Sequence, residues 1–168
     1  MSRKSRKGEP DIRYRYEKPD ELSGERLETI ESLIRRHGAV GPSYIHENLR
    51  NAYLIAYATN PQGDVLGTVV LKRQKEAYRR RLEEATGLDL SAFLERGYTS
   101  VEPSFRGCGI AGRLIKGLSE RAPGQRVYVT IDLTNVPALK LTHENGMILA
   151  ARFHNPRTGK ELGLFIHP

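Results

Sequence analysis

Residues 101–115 read Val-Glu-Pro-Ser-Phe-Arg-Gly-Cys-Gly-Ile-Ala-Gly-Arg-Leu-Ile. A β-type segment stops at Pro103, which cannot donate to a ladder. Three glycines then fall within residues 107–112, and Leu114, Ile115 and Leu118 continue with helical spacing. This is a strand, a small-residue turn and the start of a helix. The first N–H groups of a helix have no intrahelical partner and carry the positive end of its dipole. Glycine and alanine let an anion approach that backbone closely, so the segment predicts a phosphate or pyrophosphate cradle.

Three readings of this loop compete. Gly107, Gly109 and Gly112 spell GxGxxG, and Asp132 follows about twenty residues on, as in a dinucleotide-binding fold. There, however, the strand runs almost directly into the first glycine, whereas Glu102-Pro103-Ser104-Phe105-Arg106 intervene here. A phosphate-binding P-loop is excluded, because no Gly-Lys-Ser/Thr closes the cluster. The glycines could also serve only close helix–sheet packing.

The rest of the chain restricts the fold. Apolar alternation or β-branched runs predict strands at residues 11–17, 52–59, 65–72, 98–101, 126–131, 147–153 and 161–166. Asn60-Pro61-Gln62-Gly63-Asp64 and Asn155-Pro156-Arg157-Thr158-Gly159 are hairpin turns. A helix opens at Pro19-Asp20 with Leu27, Ile30, Leu33 and Ile34 on one stripe, and a second covers residues 42–49. A polar helical insert at 72–85 continues as a short apolar helix or turn at 88–94, interrupted by Gly97. Residues 138–145 form the last helix. Hairpins need antiparallel pairing, and the strand–helix–strand unit at 98–131 needs one parallel step. The expected architecture is α+β: a mixed, mostly antiparallel sheet flanked by helices, in a single domain at residues 11–168.

Arg106-Gly107-Cys108-Gly109-Ile110-Ala111 resembles the R/Q-x-x-G-x-G/A motif of the GNAT superfamily of acyl-CoA-dependent N-acetyltransferases. Val101, Pro103 and Phe105 resemble the usual run into that motif. Asn135-x-x-Ala138-x-x-Leu141 followed by Gly146-Met147 is similar to the family's N-x-x-A-x-x-L…G-F/M segment, with Met147 for the commoner Phe. The order of elements also fits, so the resemblance covers roughly residues 11–167. The long insert at 73–97 is the other departure.

The resemblance implies an acyl-CoA N-acyltransferase fold and acetyl-CoA as co-substrate. Gly107, Cys108, Gly109, Ile110, Ala111 and Gly112 would hold its pyrophosphate through backbone amides. Arg106 would add a phosphate contact, and Cys108 would act through its backbone rather than its thiol. A splayed strand at Thr99, Ser100 and Val101 would pair with the pantetheine arm, and a backbone N–H there would polarise the thioester carbonyl. Asn135 matches the pantetheine-contacting Asn, and its other reading is a helix cap. An acceptor amine must lose a proton before it attacks. Glu95 is the candidate base, beside a strand carrying Tyr98, with solvated surface as its alternative. Glu102 is expected at the solvated rim. Many relatives place a Tyr acid seven residues after the motif Asn, where this chain has Thr142. His143 beside it, or the hydroxyls of Tyr98 and Tyr128, are the remaining candidates for the thiolate's proton.

Charge and cysteine content set the setting. Lys and Arg number 27 against 20 Asp and Glu, and the single Cys108 excludes an intramolecular disulfide. No metal site is expected. Residues 1–10 carry Arg3, Lys4, Arg6 and Lys7, and are read as a disordered basic tail. No apolar run approaches the ~20 residues of a membrane helix, and no signal-peptide stretch is evident, so a cytoplasmic chain is expected. Acceptor choice would lie in residues 38–50 and 72–97, where Arg79, Arg80 and Arg81 favour an acidic acceptor. The acceptor is expected to be a small amine, a peptide N-terminus or a lysine, and homodimerisation is left open. The competing function is a non-catalytic CoA-binding or nucleic-acid-binding module. Against nucleic acid, no aromatic–basic interleaving or helix-turn-helix turn supports specific readout.

Overall fold

The computed structural model describes residues 11–38 and 44–167. The expected tail at 1–10 and residues 39–43 of the expected acceptor segment lie outside them. Seven strands, β1 (Arg13–Glu17), β2 (Leu54–Thr59), β3 (Val65–Lys72), β4 (Phe93–Val101), β5 (Arg126–Asp132), β6 (Ile148–His154) and β7 (Glu161–Ile166), form one sheet in the order β1-β2-β3-β4-β5-β7-β6. Every neighbouring pair is antiparallel except β4 and β5. The helices are α1 (Gly24–His37), α2 (Ile45–Arg50), α3 (Glu76–Thr86), α4 (Ile110–Arg121) and α5 (Val136–Glu144). No described helix is long and apolar enough to cross a membrane.

The apolar runs of β2 and β3 are buried almost throughout, because helices cover both faces. On one face, α1 sets Leu27, Ile30, Leu33 and Ile34 against Ile55, Tyr57, Val70 and Tyr98. On the other, α4 sets Ile110, Leu114, Ile115 and Leu118 against Ala56, Ala58, Val69 and Leu94. Farther along the sheet, α3 contributes Leu82 to a cluster with Leu90, Tyr128 and Leu164. Ala138 and Leu139 of α5 pack on Val129, Ile131, Met147 and Phe165 of the opposite side. Since Tyr128 and Val129 are consecutive on β5, strand alternation puts α3 and α5 on opposite faces.

Two expectations change. The first helix does not open at Pro19-Asp20. Pro19–Glu21 is a single 3-10 turn, and α1 starts only where Ser23 Oγ accepts the Arg26 N–H at 3.1 Å. Of the helix or turn expected at 88–94, a turn at Ser91-Ala92 is present and no helix is, and Gly97 interrupts nothing. β4 begins at Phe93 and passes through Gly97, since Lys72, Leu71 and Val70 of β3 extend the ladder to Glu95, Arg96 and Gly97. Glu95 is therefore a buried strand residue, not a surface carboxylate at a helix end.

Glycines set how closely α4 can settle. A Cβ on Gly67 of β3 would stand 2.8 Å from Ile110 Cγ2, so Gly67 lets the start of α4 lie on the sheet. Gly117 faces the ring of Tyr16, whose hydroxyl donates to the Arg113 carbonyl at 3.2 Å. Alanine at 117 gains about 1 kcal/mol of helix propensity. Its methyl would nevertheless collide with the Tyr16 ring, and overpacking costs about 1–3 kcal/mol or more. Gly117→Ala is expected to lower the melting temperature by a few degrees in a thermal scan. An unchanged or raised value would show that β1 yields freely.

Candidate active site

The glycine loop joins the end of β4 to α4. Gly107 and Gly109 both hold φ +78°, a left-handed conformation that costs other residues about 1–2 kcal/mol. These two turns bring the chain around into the first turn of α4. Among the described residues, no backbone or side-chain acceptor takes the N–H groups of residues 107–112. The ladder resumes with Arg113 N–H donating to Gly109 C=O at 3.1 Å. Residues 106–109 are exposed, and a Cβ built on Gly107 or Gly109 meets nothing within 4 Å. Here is a row of free amides at the positive end of a twelve-residue helix, facing open space.

Beside this loop the sheet opens. β4 and β5 pair only at Phe93↔Arg126, Leu94↔Val127 and Glu95↔Tyr128, then diverge. Beyond that last rung, β4 keeps its ladder to β3 but carries a bulge. Tyr98 and Thr99 oppose the single residue Val69, between the Val70↔Gly97 and Thr68↔Ser100 pairs. Tyr98 takes φ +54°, uncommon for an aromatic residue, while its ring stays buried. The bulge turns main-chain groups of β4 out of the ladder at the mouth of the wedge. Thr99 is exposed, Ser100 is buried and Val101 is half-buried.

At the wedge apex, on the face shared by α1 and α3, polar side chains converge on Glu95. Its Oε1 lies 3.3 Å from Lys72 Nζ, and its Oε2 accepts the Tyr128 hydroxyl at 3.3 Å. Lys72 Nζ also sits 4.3 Å from the centre of the Tyr98 ring, a cation–π contact. Gly97 leaves room for that lysine, since a Cβ there would be 2.9 Å from Lys72 Cε. Burial, then the Glu95 charge, push the Tyr128 hydroxyl far above the usual tyrosine range, so it stays a donor. Burial and the same carboxylate also raise Tyr78, which α3 brings to this cluster beside Thr130. The Tyr98 hydroxyl accepts from Asn48 Nδ2 of α2 at 2.7 Å.

Other expected site residues are placed as follows. Arg106 is exposed, and its Nε donates to the Val101 carbonyl at 3.3 Å. Cys108 is exposed in the loop. Asn135 caps α5, its side chain accepting the Ala138 N–H at 3.2 Å. Thr142 is buried and spends its hydroxyl on the Ala138 carbonyl at 2.8 Å, which removes it as a proton donor. His143 lies on the exposed side of α5, edge-on to Phe165 at 5.9 Å, and does not line the cleft between α4 and α5 that Glu144 and Asn145 reach. Glu102 is no free rim residue: Arg36 and His37, at the end of α1, reach its two oxygens at 3.1 and 3.4 Å.

Lys72, Tyr78 and Arg96 were not among the candidates. Lys72 ends an apolar strand, Tyr78 lies in a polar helix, and Arg96 sits between Glu95 and Gly97, so none carries a local mark of burial. Lys72 stands opposite Glu95 only through the β3–β4 register, which α3 interrupts in sequence, so no local signal gave it away.

A profile of the acetyltransferase (GNAT) family matches residues 25–147. No curated protein matches the chain in sequence. Among solved structures, Arabidopsis thaliana NAA60 in complex with acetyl-CoA is similar at 18% identity and a TM-score of 0.67, covering 93% of this chain and 98% of that one. The ribosomal-protein-S18-alanine N-acetyltransferase from Escherichia coli is similar at 13% identity and a TM-score of 0.66, covering 93% and 94%. An acetyltransferase of the GNAT family from Streptococcus agalactiae is similar at 16% identity and a TM-score of 0.68, covering 94% and 95%.

Proposed function

This chain belongs to the acetyltransferase (GNAT) family and is an acyl-CoA-dependent N-acetyltransferase; from that premise we propose that it carries acetyl from acetyl-CoA to a primary amine, with the glycine loop as donor site and Glu95 as base. The row of unpaired amides at residues 107–112, opening on free space beside the splayed end of β4, carries this reading. Those amides suit a pyrophosphate, and the exposed guanidinium of Arg106 adds charge at the loop. Cys108, Ile110 and Ala111 take part through their main chain.

The free edge of β4 at Thr99, Ser100 and Val101 suits the amide-rich pantetheine arm, with Asn135 at the opposite strand end. A main-chain N–H freed by the Tyr98–Thr99 bulge is the group we assign to polarise the thioester carbonyl. When bound, the donor supplies a carbonyl open to direct attack by an amine. Glu95 lies on the face of α1, α2 and α3, across the sheet from α4, so acceptor and donor approach from opposite sides. It takes the amine's proton directly or through water. Lys72 and the hydroxyls of Tyr128 and Tyr78 hold the carboxylate in place, and Tyr98 shapes the acceptor wall. We assign no proton transfer to Thr142 or His143; the departing thiolate takes its proton from solvent.

One of the similar structures, the ribosomal-protein-S18-alanine N-acetyltransferase, bears a name that points to a protein amine. We extend the acceptor class here to small amines, peptide N-termini and lysines. Residues 11–168 are taken as one catalytic domain, and the lone exposed thiol suits a reducing compartment such as the cytoplasm.

The test is release of free CoA from acetyl-CoA in the presence of an amine panel: polyamines, lysine-containing peptides and peptides with free N-termini. One class should raise release above the hydrolysis blank. Binding of acetyl-CoA without turnover on any amine would contradict the catalytic assignment.

A further inference from the structure

Among the described residues, one buried charged group is left unused by the donor reading. Arg96 is the first β4 residue past the final β4–β5 rung, at the apex of the wedge. It is 5% exposed, and its Nε has no hydrogen-bond partner. Burial alone lowers its pKa, to about 10, with no neighbouring charge contributing. It therefore stays cationic at neutral pH. A guanidinium held away from water without an anion is costly.

Arg96 lines a cleft of about 550 Å³ between α4 and α5 on the donor side of the sheet. The cleft runs from Gly112, the last glycine of the loop, past Ile115 to Val127 of β5 and Asn145 of α5. That volume is in the range of small-ligand pockets. A donor held by its diphosphate at the loop and laid along the free edge of β4 delivers its acyl end to the wedge apex. There, among the described residues, the buried charge with an unpartnered polar atom is positive, while Lys116 and Glu144 line the cleft from α4 and α5.

We propose that Arg96 makes this cleft a subsite for a carboxylate, so that the enzyme also takes, and binds more tightly than acetyl-CoA, donors whose acyl group ends in a carboxylate. The inference rests on the donor-site reading above. A carboxylate matches the planar fork of a guanidinium and satisfies the unpaired Nε–H. It is present before, during and after transfer, so it offsets the buried charge throughout.

Calorimetric titration of the full chain with acetyl-CoA, succinyl-CoA and free succinate tests this, on the wild type and on Arg96→Met. Succinyl-CoA should bind the wild type at least about tenfold more tightly than acetyl-CoA. Arg96→Met should bring the two within about twofold, with acetyl-CoA affinity unchanged. Equal affinities in the wild type, or a preference that survives in Arg96→Met, would overturn the proposal. So would saturation of the site by free succinate with no gain for the thioester, which would make it a site for free acids. Failure of both thioesters to bind would remove the donor site itself and this proposal with it, a result distinct from equal binding. The wild-type comparison needs no variant, and a melting temperature for Arg96→Met at or above the wild-type value would verify its folding.

Discussion

Gly109→Glu is expected to abolish donor binding in calorimetry, with a loss of at least about a hundredfold in affinity. Three effects combine. Gly109 holds φ +78°, where any side chain costs about 1–2 kcal/mol. The position opens on space that no protein atom occupies, so the new side chain would project beside the free amides. Its carboxylate would then compete with the diphosphate for those amides and repel it. Gly109→Ala separates these effects, since it keeps the conformational cost without the charge. It should weaken binding by about thirtyfold at most if the loop strain is the only effect. Full affinity in Gly109→Glu would show that the donor sits elsewhere.

Glu95→Gln is the second large effect. Removing a general base typically costs about 10²–10⁴ in rate, and the loss should fall on kcat/KM with donor affinity preserved. Glutamine keeps the shape and can still accept from Tyr128, which holds its proton firmly. Lys72 would then lose its ion-pair partner while largely buried, so a fall in stability accompanies the change and the rate is compared at a temperature where both proteins are folded. The rate deficit should be greatest at low pH and narrow as pH rises toward the amine's own pKa of ~10.4, where free amine needs no base. Parallel pH–rate curves for variant and wild type would remove Glu95 from proton transfer.

The donor half of this account was legible because it rests on local rules. Pro103, the three glycines and the apolar stripe of α4 state a strand, a turn and a helix without help from distant residues. The hairpin turns likewise announced the antiparallel pairs on either side of the single parallel step. The acceptor half was less legible. Leu94, Glu95 and Arg96 are consecutive buried residues, two of them charged, and a buried charge beside a glycine looks like surface until its partners are known. Those partners come from β3, α3 and β5, remote in sequence. The bulge was hidden for a similar reason: nothing local marks Tyr98 for positive φ, which pairing with β3 imposes. Asn135 shows the reverse case, since its cap was readable from the Pro137 that follows and is present in the structure.

The central claim is that the main-chain N–H groups of residues 107–112 bind a diphosphate. Amide resonances of ¹⁵N-labelled protein, recorded as acetyl-CoA is added, test it most directly. The account predicts that Gly107, Cys108, Gly109, Ile110, Ala111 and Gly112 shift together, that their exchange with solvent slows, and that 3′,5′-ADP reproduces only part of the change. Saturable acetyl-CoA binding that leaves those six resonances unmoved would contradict it.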